Sequence, residues 1–162
     1  MKPSVIRLAL YEPDIPQNAG TLLRLCACLG VDAHLIEPTG FPSYDRAFRR
    51  AGMDYLDAVS LQRHISWTQF QEWRQADRGR LVLATTKAAE IYTDFRFLPG
   101  DIIMTGRESA GVPDSVHGAA DARIKIPMRS SLRSINVAVA AAMLLGEALR
   151  QTSGFPAEPQ GD

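Results

Sequence analysis

Apolar residues in this chain fall into two alternating patterns. Short apolar runs bounded by turn-forming residues cover Val5–Leu10, Ala33–Ile36, Ala58–Leu61, Arg80–Thr85, Asp101–Met104 and Arg123–Ile126, and they predict strands. Between some of them, apolar positions recur at helical spacing. Leu22, Leu25 and Leu29 place a helix over Pro16–Leu29, with Gly30 as its stop. Ser66 is positioned to cap a helix running through Trp67, Phe70 and Trp73. Ser134–Arg150, dominated by alanine and leucine, is the strongest helix, with Ser134 as its expected cap. Thr39–Asp54 shows neither period and reads as a long loop with one helical turn; such loops are often functional. The alternation predicts an α/β fold, a mainly parallel sheet with helices on both faces. One domain is expected over residues 1–151, followed by a polar, Gly- and Pro-containing tail at 152–162 that is expected to be disordered.

Composition narrows the class. A chain of 162 residues, 46% hydrophobic and 22% charged, can bury a core without disulfides or metals. Lys+Arg and Asp+Glu both number 18, so overall charge cannot drive nucleic-acid binding. Local clusters would have to do so: Arg46, Arg49 and Arg50 form one, and Arg123, Lys125, Arg129 and Arg133 another. Cys26 and Cys28 stand two apart in a helix and cannot face each other, so buried free thiols are expected, which suits a reducing compartment. His34, His64 and His117 lack metal-ligand spacing, so no metal site is expected. The N-terminal segment has no long apolar run, which points to a cytoplasmic protein without a membrane partner.

Ligands of open α/β sheets bind beyond the carboxyl ends of the strands. Four segments follow predicted strands in this way: Tyr11–Asn18, Thr85–Ala88, Thr105–Pro113 and Pro127–Asn136. In the third, Gly106 and Gly111 have the spacing of a phosphate-binding loop, but Val112-Pro113 stands where Lys and Ser/Thr are needed. A triphosphatase is excluded, and the dinucleotide pattern G-x-G-x-x-G is absent. The glycines still require close backbone approach or a positive φ. In the fourth, Ser130, Ser131, Ser134 and Asn136 cluster ahead of an alanine-rich helix; capping accounts for one serine and leaves the others for a polar ligand. Asn18 and Arg24 read on their own as a helix cap and a surface charge. With no metal site, catalytic triad or triphosphate loop, a small organic cofactor held by backbone groups remains.

Taken in order, these segments resemble the SPOUT superfamily of methyltransferases, within it the TrmH-like RNA 2′-O-methyltransferases, and most closely the small TrmL-type enzymes of the tRNA wobble ribose. The similarity is carried by Tyr11-Glu12-Pro13-Asp14-Ile15-Pro16-Gln17-Asn18-Ala19-Gly20 through Arg24-Leu25-Cys26-Ala27, by Arg49-Arg50-Ala51-Gly52-Met53-Asp54-Tyr55, by Gly106–Pro113, and by Ile126-Pro127-Met128 with Arg133–Ala138. It departs at Arg107, where many relatives carry a neutral residue or proline, and at Ala110, often Arg in relatives. The resemblance implies a C-terminal trefoil knot, an exception to the rule that chains do not thread loops. It also implies S-adenosylmethionine as methyl donor, S-adenosylhomocysteine as product, tRNA as substrate and a homodimer with shared RNA sites. Carried over by position, Ala84, Gly106, Ile126 and Ser134 would contact the donor. Arg24 and Asn136 would be catalytic, and Arg46, Arg49, Arg50 and Arg129 would hold RNA. Glu108 would anchor its loop or pair with an arginine. The competing readings are a TrmH-like enzyme acting on another tRNA or rRNA nucleotide, and a non-catalytic RNA-binding module of the same fold.

Overall fold

The computed structural model describes residues 5–159. The elements run β1 (Arg7–Tyr11), α1 (Pro16–Leu29), β2 (Asp32–Ile36), α2 (Arg46–Gly52), a 3₁₀ turn over Met53–Asp57, β3 (Leu61–His64), α3 (Trp67–Asp77), β4 (Leu81–Ala84), β5 (Glu90–Ile91), β6 (Ile102–Thr105), α4 (Asp114–Ala119), β7 (Ala122–Lys125) and α5 (Val137–Thr152). All strand pairs are parallel, and the order is β3-β2-β1-β6-β4-β7-β5. The later strand β6 therefore sits between β1 and β4.

Strand alternation divides the core into two layers. Ile6, Leu8, Leu10, Val82 and Ile103 point to one face, where Leu22 and Leu23 of α1 and Leu144 and Leu145 of α5 cover them. Ala9, Tyr11, Leu81, Leu83, Ile102 and Met104 point to the other, covered by Phe70 of α3 and Val116 of α4. Both faces are buried, which explains why β1 and β6 are apolar or buried at every position.

Helix α1 has the expected bounds. Pro16 occupies its first turn and Gly30, at φ 65°, closes it. Ser66 caps α3 by accepting from the Gln69 N–H at 3.1 Å. Other expectations shift. The loop Thr39–Asp54 contains α2, capped by Asp45, and runs into the 3₁₀ turn. That turn pushes β3 to Leu61–His64 rather than Ala58–Leu61. The short elements β5 and α4 have no counterpart in the expected pattern. The long C-terminal helix starts at Val137, because Asn136 rather than Ser134 caps it, its Oδ1 accepting from Ala138 N–H at 2.9 Å and Val139 N–H at 3.3 Å. Thr152 still belongs to α5, residues 153–159 have no regular secondary structure, and the rest of the expected tail lies outside the described residues. Cys26 is buried as expected, but Cys28 is exposed, on the solvent side of α1.

Candidate active site

The loops after β4, β6 and β7 and the first turns of α5 enclose a cavity of about 690 Å³. Ala84, Gly106, Ile126 and Ser134, drawn from four separate segments, all line it, as does Asn136. Leu83, Val112, Ile124 and Leu144 supply apolar wall, while Thr85, Thr105 and the loop backbone supply polar atoms. A pocket of this size and mixed lining suits a ligand of nucleoside dimensions.

The loop Gly106–Gly111 is shaped by its backbone. Arg107 N–H donates to Gly111 O at 3.1 Å, Gly111 N–H returns to Arg107 O at 2.8 Å, and Gly111 takes φ 61°. A Cβ at Gly106 would stand 3.0 Å from the Gly111 carbonyl carbon and 3.1 Å from Val112 Cγ1. The glycine therefore keeps the turn tight where it meets the cavity.

Asp14, in the loop after β1, clasps this turn from outside. It accepts from the Glu108 N–H at 3.1 Å, the Ser109 N–H at 3.3 Å and the Ser109 hydroxyl. Burial pushes its carboxyl upward, but these hydrogen bonds outweigh it and hold the group below the ordinary aspartate value. Arg107 lies over the Tyr11 ring, 5.8 Å from its centroid. The Tyr11 phenol is raised to about 12, by burial first and by Glu12 second.

At the cavity mouth three polar side chains from distant segments meet. Asn136 Nδ2 donates to Asn18 Oδ1 at 3.2 Å, and Asn18 Nδ2 donates to Glu108 Oε1 at 2.5 Å. Burial raises the Glu108 pKa against the opposing bond from Asn18, and nearby Asp14 adds to the rise. Asn18 is therefore not the helix cap, and Glu108 is bound to an amide rather than an arginine. A signal for Asn18 was present: Pro16 favours the first helical position, which leaves Asn18 inside the helix and free for other work.

The arginines lie elsewhere. Arg24 is exposed on α1 and does not line the cavity. Arg46, Arg49 and Arg50 are exposed on α2 at positions i, i+3 and i+4, and so share one face. Arg129 is exposed beside Met128, which lines the cavity. The structure therefore joins the four donor-contact candidates and Asn136, and leaves Arg24 and α2 outside that group.

A parallel sheet with a nucleoside-sized cavity at its carboxyl ends and an asparagine–glutamate network at the mouth defines an α/β protein with a small-molecule site. The model of the SpoU rRNA Methylase family matches residues 5–146, and the chain belongs to that family. A tRNA (cytidine(34)-2'-O)-methyltransferase of Beijerinckia indica subsp. indica is 67% identical over 148 residues, covering 91% of this chain and 92% of the relative. A solved structure described as "Structural insights into the 2-OH methylation of C/U34 on tRNA" is 38% identical with TM-score 0.88, covering 94% of this chain and 99% of that one. The SpoU methyltransferase AviRb from Streptomyces viridochromogenes, in complex with the cofactor AdoMet, is 27% identical with TM-score 0.83, covering 93% of this chain and 62% of that one.

Proposed function

We propose that this chain transfers a methyl group from S-adenosylmethionine to the ribose 2′-hydroxyl of nucleotide 34, cytidine or a modified uridine, in tRNA. The observation that carries the reading is the single cavity lined by Ala84, Gly106, Ile126 and Ser134 and edged by Asn18, Glu108 and Asn136. Its fit to the donor rests on the apolar walls, which suit an adenine ring, and on the bare Gly106 and Gly111 backbone, which leaves room and hydrogen-bonding groups for a polar chain. When bound, the donor supplies an already electrophilic sulfonium methyl and departs as S-adenosylhomocysteine.

What remains for the protein is to place the hydroxyl and manage its proton. The ribose O2′ would accept the sulfonium methyl and give up its proton to solvent water. Ser134 and Asn136 orient donor and ribose, and the Glu108 carboxylate fixes the amide of Asn18. A guanidinium is a poor general base, so Arg24 is not given the task of taking the proton. Its role is to steady negative charge developing on O2′ and the adjacent phosphate. Arg46, Arg49, Arg50 and Arg129 hold the RNA backbone.

Arg24 lies outside the cavity of its own chain, which supports a homodimer in which it reaches the partner's cavity. Helix α5 offers a surface for this pairing: Val139 and Met143, four residues apart, are 52% and 38% exposed. Residues 1–151 would form the catalytic domain, with a C-terminal trefoil knot; this reading is supported by the first turns of α5 lining the same cavity as the loops after β4, β6 and β7. A tRNA substrate supports a cytoplasmic location; separately, no described helix is long and apolar enough to cross a membrane. Incubating the protein with bulk tRNA and labelled donor, then mapping the label, tests the reading. A 2′-O-methyl group at nucleotide 34 supports it; label at another nucleotide, or none, overturns it.

A further inference from the structure

The surroundings of Arg24 contain a device that the methyl-transfer reading leaves unused. Helix α1 and the segment Arg46–Asp57 pack with almost no gap: a Cβ on Gly20 would stand 2.4 Å from the Phe48 carbonyl oxygen and 2.8 Å from Ala51 Cβ. At the end of α2 the chain turns through Met53 at φ 49°, ψ −142°, a conformation that costs a non-glycine residue energy. That turn brings Met53 Sδ to 3.3 Å from Arg24 Nη1 and the Tyr55 ring to 4.9 Å from Arg24 Cζ. Among the described residues Arg24 makes no ion pair. An exposed arginine normally samples many rotamers, and a carboxylate could fix it only by cancelling its charge. An aromatic face and a thioether fix it and leave the charge whole.

We infer that Tyr55, assisted by Met53, is a positioning residue that holds the Arg24 guanidinium in a reactive orientation. This rests on the proposed role of Arg24 in methyl transfer. The geometry also gives the Arg46–Asp57 segment two functions. Its helix offers arginines to RNA, and its 3₁₀ turn sets the arginine that meets the ribose.

The test is a double-mutant cycle on the full-length protein, reading kcat, KM for tRNA and donor affinity. Tyr55→Leu is expected to lower kcat about fivefold to tenfold with unchanged donor affinity, while Tyr55→Phe, which keeps the ring, stays within about twofold of wild type. Met53→Ala, at a 56% exposed position, should lower kcat by a smaller factor and serves if Tyr55→Leu melts early. In an Arg24→Ala background, Tyr55→Leu should have no further effect. Tyr55→Leu at wild-type kcat, or an equal loss with and without Arg24, overturns the inference. Full turnover by Arg24→Ala overturns it together with the Arg24 role, whereas methylation at a nucleotide other than 34 contradicts the substrate reading and leaves the cycle intact.

Discussion

The arginines at the two ends of the sheet lead different lives. Near the amino-terminal ends of the strands three arginines are tied to aspartates: Arg7 to Asp77 at 2.7 Å, Arg74 to Asp121 at 2.9 Å and Arg80 to Asp101 at 2.7 Å. They also donate to the carbonyls of Gly100, Gly79 and Arg96, which close the turns beneath β6 and β4 and the segment leading to β6. Around the proposed active site and on α2, by contrast, Arg24, Arg46, Arg49, Arg50, Arg107 and Arg129 make no ion pair among the described residues. The difference explains how a chain of zero net charge could bind RNA: its acidic side chains neutralise the arginines that build the fold and leave others unneutralised.

Swapping a probe between the ends gives the largest expected effects. Arg24→Ala should lower kcat about 100-fold to 1,000-fold and leave the melting temperature near wild type. Arg80→Ala should do the reverse, because Asp101 is 1% exposed and its carboxylate would keep only the Leu98 N–H as a hydrogen-bond donor among the described residues. A loss of about 3 kcal/mol, or roughly 10 °C in melting temperature, is expected with kcat per folded molecule retained. Thermal melts and steady-state kinetics on both proteins check the pair, and the comparison breaks if either variant shows the other's phenotype.

Removing Arg46, Arg49 and Arg50 together should weaken tRNA binding by about tenfold to 100-fold and flatten the salt dependence by about two units of log–log slope, with donor affinity unchanged. A filter-binding series over salt concentration reads both. An unaltered slope would move the RNA surface away from α2.

Smaller effects should appear on acidification, and they separate the two regions again. His34 packs against Trp73 and His64, near Arg7 and Asp77, and its pKa falls to about 4, chiefly through burial and then through His64 and Arg7. A base depressed in this way contributes stability that is complete above the unfolded value of 6.5 and is lost as pH falls towards about 4. Melting temperature should therefore decline across that window, and less steeply in His34→Gln. The smallest effect belongs to the mouth of the cavity. Burial lifts Glu108 above its ordinary value, so turnover should acquire an acid limb higher than an exposed glutamate would give, and Glu108→Gln should remove that limb.

The same contrast marks what could be read from the residues alone. Local signals were sufficient for α1, where Pro16 and Gly30 bracket a helical period, and for α3, where Ser66 caps one. The four donor-contact candidates, assigned by resemblance, do share one cavity although Ala84 and Ser134 lie far apart in sequence. Edge elements were harder. Strand β3 exposes Gln62 and Arg63 and so lacks a buried-strand pattern, and β5 has two residues and no period at all. The insertion of β6 between β1 and β4 is a long-range pairing that no local window contains. The side-chain network of Asn18, Glu108 and Asn136 was missed for a related reason: each residue has an adequate local explanation as cap, anchor or loop polar group, and only the fold brings them together.

The division of labour between a donor cavity and an outlying arginine is tested most directly by calorimetric titration of S-adenosylmethionine into wild-type, Gly106→Val and Arg24→Ala proteins. The account predicts one donor site per chain, lost in Gly106→Val because a side chain there meets Gly111 and Val112, and kept at wild-type affinity in Arg24→Ala. Undiminished binding by folded Gly106→Val, or loss of binding in Arg24→Ala, would contradict it.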